Sequence, residues 1–400
     1  MRFRILINLH YLEIGGVETS LIGLLQALDP KRVEVDLFLN DHHGEMMQFI
    51  PEWVNILPSI SAYTMIERPI SEALRKGYFR IVQARLWAKY KFHRYVKRKC
   101  PIDGSAIFGY VGKYVTPVLP SLNKFGHYDL AISFLTPHNI ILNKVNAKKK
   151  ICWIHTDYSH IDVNKELELP VWSGYDYIAS ISASVTTNFC AAFPALRDKI
   201  VEIENILLPT FVRMRAEVEP IPKEIRKEQN EILLLTIGRY SYPKKMEEIP
   251  VICRLLTEKG IRVKWYIIGY GQSDEYIRKV ITQEGMEKQV ILLGKRTNPY
   301  PYIKACDWYI QPSRYEGNSV VVREAQILQK PVIITAYPTA TSQVKNGIDG
   351  IIVPLDVSMC ADKMAVALNN EELKNRIVDY LSTHDYGNES EVDKIYSLIV

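Results

Sequence analysis

Short, continuously apolar runs alternate along the 400-residue chain with stretches whose apolar positions recur every three to four residues. Runs at 3–9, 33–39, 129–134, 150–155, 177–182 and 200–203 form a first series, and runs at 232–238, 263–269, 290–294, 307–311, 331–335 and 350–353 form a second. Runs of that kind predict strands buried on both faces, the strands of parallel sheets, and the helical spacing between them predicts crossover helices. The pattern occurs twice, so the chain is expected to form two doubly wound α/β domains. Between the two series, residues 206–230 are rich in proline and charge and predict a linker. The expected domains are 1–206 and 207–385, followed by an amphipathic final stretch at 386–400.

Composition narrows the class. An apolar fraction of 47% with 24% charged residues is that of a soluble globular protein. No apolar run approaches the length of a membrane span. The start, Met1-Arg-Phe-Arg-Ile-Leu-Ile-Asn, turns polar before a secretory leader could form. Six cysteines (100, 152, 190, 253, 306, 360) show no CxxC and no paired spacing, as buried thiols of a reducing compartment would. A cytoplasmic location is therefore expected.

Charge is uneven. Residues 68–99 hold eleven Lys or Arg against one acid, Glu72, although the whole chain is only +5. Aromatic and aliphatic residues recur at helical spacing within that segment, among them Tyr78, Phe79, Ile81, Val82, Leu86, Trp87, Tyr90, Phe92, Tyr95 and Val96. A basic helix of that composition suits an anionic membrane surface or a lipid bearing a pyrophosphate. The plainer reading is a core-packed helix with a solvated basic face. No nucleic-acid-binding motif is present, and no nucleic-acid partner is expected.

Candidate chemistry gathers at the ends of the predicted strands. After run 3–9 comes Gly15-Gly16-Val17-Glu18, where adjacent glycines let backbone amides approach a ligand. After run 232–238 come Arg239 and Lys244, cations placed where open α/β sheets bind ligands and suited to clamping a diphosphate. Gly269-Tyr-Gly271-Gln-Ser-Asp274 begins like a dinucleotide fingerprint, but Asp274 stands where the third glycine belongs. Ser273 or Asp274 is instead expected to cap the next helix. His155, Asp157 and His160 end another run; with no second cluster of ligand spacing, no metal site is expected. No Gly-x-Ser-x-Gly elbow offers a serine nucleophile. Glu316 falls in a turn and Glu324 in the helix after it, with Asn318 or Ser319 as the cap and Pro331 as the stop. A helix start presents free N–H groups to an anion, and flanking carboxylates accept sugar hydroxyls.

Taken in order, Gly15-Gly16, Gly238-Arg239 with Lys244, Gly269-x-Gly271 and Glu316-x7-Glu324 resemble the retaining glycosyltransferases of the GT-B fold. More narrowly they resemble the group 1 (family 4) enzymes of bacterial polysaccharide and lipopolysaccharide assembly, most strongly from 232 to 354. The resemblance implies two Rossmann-like domains facing an interdomain cleft, the first binding the acceptor and the second the nucleotide sugar. It implies that Arg239 and Lys244 hold the donor diphosphate, that Glu324 meets the ribose and that Glu316 meets the transferred sugar. The amides of Gly317, Asn318 and Ser319 would face sugar and phosphate, Gly15 and Gly16 would close over the donor, and Gly269 would line its site. His155 would stand near the acceptor and the anomeric carbon, Asn205 would mark the crossing between domains, and the final helix would cross back onto the first domain. A UDP-sugar donor, with GDP as the alternative, a glycan or lipid-linked acceptor and no obligatory metal or cofactor are expected. Three positions depart from the family: Asn318-Ser319 stands where Phe and then Gly or Pro is common, and Lys245 stands where glycine commonly follows the clamp lysine. A non-hydrolysing sugar-nucleotide epimerase and a non-catalytic nucleotide-sugar-binding protein are the alternatives.

Overall fold

The structure is a computed structural model that describes residues 2–101, 103–159 and 161–399. The chain divides into two compact units, one of Met1–Ile206 with Glu389–Val400 and the other of Leu207–Asn388.

The first unit is built on seven parallel strands: β1 (Phe3–Leu9), β2 (Val33–Leu39), β3 (Asn55–Ile56), β4 (His127–Ser133), β5 (Asn146–Ile154), β6 (Tyr177–Ser180) and β7 (Ile200–Glu202). Their order is β3-β2-β1-β4-β5-β6-β7, with Ile5 opposite Val35 on one side and Leu130 on the other. The two-residue β3, too short for an apolar pattern, is the one strand the periodicity does not show. Helices α1 (Gly16–Ala27), α2 (Phe79–Lys99) and α3 (Ile107–Val115) belong to this unit. The core strands have no polar face: Ile5, Leu6 and Ile7 are fully buried because helices cover both sides.

The second unit repeats the plan with six strands: β8 (Ile232–Ile237), β9 (Val263–Ile268), β10 (Val290–Gly294), β11 (Trp308–Gln311), β12 (Val332–Thr335) and β13 (Ile351–Val353), in the order β10-β9-β8-β11-β12-β13. Leu234, Trp265, Trp308 and Ile333 pack on one face with Met246, Ile252 and Met364. Leu233, Leu235, Tyr266 and Ile334 pack on the other with Val212, Ala216 and Val322. Strand order reverses between β1 and β4 in one unit and between β8 and β11 in the other, and ligands bind open α/β sheets at the carboxyl ends flanking such points.

Three local expectations differ from the structure. The stretch expected as a linker contains helix α4 (Pro209–Val218), because Pro209 stands at the first helical position, where its missing N–H costs nothing. Helices α5 (Tyr300–Ala305) and α6 (Val320–Ile327) lie in the same unit, and α6 is ended by the turn at Gln329, ahead of Pro331. Gln329 takes φ 57° and the Lys330 N–H returns to the Ala325 carbonyl at 2.9 Å, a left-handed C-terminal turn made without glycine. Ser319 and Ser273 do precede helices, yet neither side chain makes a capping hydrogen bond.

The last helix, α7 (Glu391–Ile399), lies in the first unit. The Asp29 N–H donates to the Tyr396 hydroxyl at 2.7 Å, and the Arg32 guanidinium lies 3.6 Å over the Tyr396 ring.

Candidate active site

At the reversal point of the second sheet, β11 runs into the turn that carries Glu316. Its carboxylate oxygen Oε1 accepts from Lys244 Nζ at 2.6 Å, Gln311 Nε2 at 2.9 Å and Ser313 Oγ at 2.5 Å. The other oxygen, Oε2, accepts nothing among the described residues. Gln311 and Ser313 are fully buried, and Tyr309 donates to Gln311 Oε1 at 2.6 Å, so a chain of satisfied polar groups aims the carboxylate. Thr339 Oγ1 fixes the Glu316 carbonyl at 2.9 Å.

The cationic loop after β8 is tied to the same turn. Arg314 donates to the Tyr242 carbonyl at 2.6 Å, pairs with Glu247 at 2.7 Å and Glu248 at 3.0 Å, and lies 4.3 Å over the Tyr242 ring. Its own N–H donates to the Pro243 carbonyl at 2.8 Å. Lys244 is thus delivered to Glu316 by a clamp whose key residue, Arg314, carries no motif that would reveal it. Arg239 is exposed and makes no hydrogen bond or ion pair among the described residues. Lys245, at the position where glycine is common in the family, takes φ 57°. That left-handed conformation is the physical reason for glycine there. Lys245 accommodates it as a buried side chain that pairs with Glu248 at 2.6 Å and donates to the Leu355 carbonyl.

Gly269 has a packing role. A Cβ there would lie 1.9 Å from the Gly238 carbonyl oxygen, so the turn after β9 presses on the turn that presents Arg239. Gly271 approaches the Tyr240 backbone in the same way, with 2.4 Å to its carbonyl oxygen.

Glu324 is buried on α6. Tyr300 donates to its Oε1 at 2.7 Å, while Arg215 of α4 lies 5.5 Å over the Tyr300 ring. Burial pushes the Glu324 carboxyl up to about 7, against the opposing pull of the Tyr300 hydroxyl and the Arg215 charge. At the start of α6, Gln343 donates to the Ser319 carbonyl at 2.5 Å and to Asn318 Oδ1 at 3.1 Å, and accepts from the Ser319 N–H at 3.4 Å. The N–H groups of Gly317 and Asn318 donate to nothing among the described residues.

The remaining candidates lie in the first unit. Gly15 and Gly16 open α1, and the Glu18 carboxylate folds back over Gly15, where an added Cβ would meet Glu18 Oε2 at 2.2 Å. At Gly16 an added Cβ would meet nothing within 4 Å. Asn205 accepts from Ser20 Oγ of α1 at 2.8 Å. His155 follows β5, its ring 4.7 Å from Phe134 and stacked 6.1 Å from Trp153. Burial holds both His155 and the neighbouring His138 down to about 3, so both rings are neutral at physiological pH. The shielded Nε2 atoms of His155, His138 and His10, and Trp153 Nε1, have no hydrogen-bond partner among the described residues. A pocket of about 70 Å³ is lined by Trp153, His155, Phe108, Tyr158, Trp172 and Glu168, among others. Tyr158 and Trp172 both donate to Glu168 Oε2, at 3.0 and 3.2 Å, and burial raises the Glu168 carboxyl above its ordinary value. Asp157 serves a turn, accepting from the Ser159 N–H at 2.9 Å and from Asn188 at 2.8 Å. His160 lies outside the described residues. Among those described, no group of three or more His, Cys, Asp or Glu side chains is placed to hold a metal ion.

Comparison with known proteins places the chain beside known glycosyltransferases. Residues 217–383 match the model of glycosyl transferases group 1. A poly(ribitol-phosphate) alpha-N-acetylglucosaminyltransferase of Staphylococcus aureus (strain COL) is 27% identical over 177 residues, 43% of this chain and 34% of that protein. The S. aureus capsular polysaccharide biosynthesis glycosyltransferase CapM is 29% identical over 146 residues, 35% of this chain and 38% of that protein. Each match spans little more than a third of the relative's own length. A variant of S. aureus TarM, solved with Fondaparinux, alpha-GlcNAc-glycerol and UDP, aligns over 99% of both chains with a TM-score of 0.69 at 15% identity. The chain therefore has the GT-B fold, and residues 217–383 of its second unit are similar to the glycosyl transferases of group 1.

Proposed function

We propose that the protein moves a sugar from a nucleoside diphosphate sugar, with UDP the expected nucleotide, onto a glycan or lipid-linked glycan during assembly of a cell-surface polysaccharide. In this reading transfer retains the anomeric configuration and needs no obligatory metal. The observation that carries it is the Lys244–Glu316 pair at the sheet reversal, with Glu316 Oε2 left to accept a sugar hydroxyl and Arg239 exposed beside the loop. The relatives named above act in polymer assembly, and the solved neighbour holds UDP.

The reaction breaks the bond from the anomeric carbon to the diphosphate, whose oxygen keeps the electron pair, and forms a bond to an acceptor oxygen. The acceptor proton passes to the departing phosphate. Negative charge grows on the leaving group, and Arg239, Lys244 and the amides of Gly317 and Asn318 are the donors suited to it. Glu316 serves as a binding group in this scheme, because its Oε1 is already committed to three donors. Glu324, protonated in part near neutrality, is the group for the ribose. The acceptor falls to the first unit, where the aromatic walls around His155 suit a sugar face. A His155 held neutral to about 3 supports a hydrogen-bonding role there over that of a general acid. The reading includes peripheral association with the cytoplasmic membrane face through 68–99.

The test is thermal stability across a panel of nucleotide sugars, with and without chelator, followed by product analysis. A ligand of the native state raises the midpoint by mass action. One diphosphate class should stabilise the protein, the gain should vanish in Lys244→Ala, and chelator should change nothing. Epimerised sugar formed without acceptor would replace transfer with epimerisation, and no stabilisation by any nucleotide sugar would reject the proposal.

A further inference from the structure

Helix α2 is apolar on two opposite faces, and only one of them is covered. Ile81, Val82 and Ala88 are buried, and Phe92 and Tyr95 meet the Tyr110 ring of α3 at 6.2 and 6.0 Å. At 100° per residue, Phe79, Leu86, Trp87 and Tyr90 project from the other side. They are 66%, 50%, 49% and 50% exposed. Trp87 and Tyr90 touch, with ring centroids 5.3 Å apart, and Leu86, one turn before Tyr90, and Phe79, two turns before Leu86, lie on the same side of the helix, so these residues form a stripe along one face.

The stripe is framed by positive charge alone. The 21 residues of α2 include Arg80, Arg85, Lys89, Lys91, Arg94, Lys97, Arg98 and Lys99 and no acid. Arg85 turns inward to the Met65 and Arg68 carbonyls, at 2.9 and 2.6 Å. Lys91 lies 4.9 Å over the Trp87 ring and Arg94 5.9 Å over the Tyr90 ring, which places cations at the rims of the apolar surface. No helix among the described residues is long and apolar enough to cross a membrane.

We propose that the outer face of α2 is an interfacial membrane anchor: Phe79, Leu86, Trp87 and Tyr90 enter the headgroup region of an anionic bilayer while Lys89, Lys91, Arg94 and the basic last turn contact lipid phosphates. Charge complementarity selects the occupant, because a helix with cations and no acid repels a basic partner and favours an anionic leaflet. The aromatic stripe separates a bilayer from a soluble polyanion, which offers no apolar layer for it to enter. The inference rests on the peripheral-membrane reading of 68–99 and not on the transfer reaction, so either can fail alone.

The experiment is co-sedimentation of the full chain with vesicles of phosphatidylcholine and with vesicles of equal parts phosphatidylcholine and phosphatidylglycerol, at low and high salt. Binding should require phosphatidylglycerol, and each of Lys89→Glu, Lys91→Glu and Arg94→Glu should weaken it by about fivefold or more. Trp87→Ser with Tyr90→Ser should abolish the fraction that survives high salt, while thermal stability and nucleotide-sugar stabilisation stay at the parent's level, since both side chains face solvent. Equal binding to both vesicle types, a Trp87→Ser/Tyr90→Ser variant that binds like the parent, or binding to heparin but not to vesicles would each overturn the proposal.

Discussion

Lys244 Nζ lies 2.6 Å from Glu316 Oε1, and this ion pair, beside the Arg314 contacts, joins the loop after β8 to the turn after β11 across the point where strand order reverses. Both side chains are largely shielded, 25% and 10% exposed, so the pair outweighs an ordinary surface contact. It leaves the two residues with separable tasks. Glu316→Gln should lower turnover by about 10²–10³, as loss of one preorganised polar group does, while affinity for UDP alone holds or rises because the ammonium is released toward phosphate. Lys244→Ala should weaken UDP and turnover together. Calorimetric titration with UDP beside initial rates reads both, and parallel losses in the two variants would show that the pair acts only as a scaffold.

The two units should respond to pH with opposite signs. Glu324 titrates at about 7 when folded and near 4.5 when unfolded, so between those values the folded state holds a proton that the unfolded state has lost. Its contribution is full below about 4.5 and is lost as pH rises through 7, at a cost on the order of 3 kcal/mol. His138 and His155 are held to about 3 against an ordinary 6.5, so the unfolded chain binds the extra protons and the first unit weakens as pH falls from 6.5 toward 3. Scanning calorimetry at several pH values should show Glu324→Gln flattening the dependence above pH 4.5 only, and His138→Gln flattening the acid side only. A Glu324→Gln variant with the parent's slope would show that its carboxyl does not stay protonated on folding.

Lys245 spends its position in a left-handed conformation and offsets that with a buried ammonium paired to Glu248. Lys245→Ala keeps the backbone strain and removes the partner of Glu248 Oε2, leaving Arg314 on Oε1, so it should destabilise by about 1–3 kcal/mol. Lys245→Gly removes the same partner but relieves the strain, so it should be the milder change by about 1 kcal/mol. Denaturant melts of the two variants check the ranking; an alanine variant at least as stable as the glycine variant would contradict the strain argument.

Glycines of the two motifs should behave differently when given a methyl group. Gly269→Ala drives a Cβ into the Gly238 carbonyl oxygen and should cost at least 2 kcal/mol while moving the Arg239 turn. Gly16→Ala meets open space at the first residue of α1, so the fold should hold. If Gly16→Ala nonetheless loses turnover, the glycine is there for a ligand; unchanged turnover would leave Gly16 with no part in donor binding. Melting temperatures and rates measured on both proteins separate fold from ligand.

Most of the architecture was legible in the chain, because a strand buried on both faces must be apolar throughout, and runs such as 3–9, 33–39 and 290–294 coincide with strands β1, β2 and β10. The Glu316, Glu324, Arg239 and Lys244 positions were legible for a related reason: each follows or flanks such a run, where a parallel sheet opens to ligands. What tertiary structure decided is everything that depends on side chains distant in sequence. Arg215, read as part of a linker, comes under Glu324 through Tyr300, and Arg314 clamps the loop that presents Lys244. The buried carboxyl near neutral pH follows from desolvation, which no local pattern records. The division of α2 into a packed face and an exposed aromatic face likewise depends on where α3 lies, since helical spacing marks two apolar stripes without saying which one the protein covers.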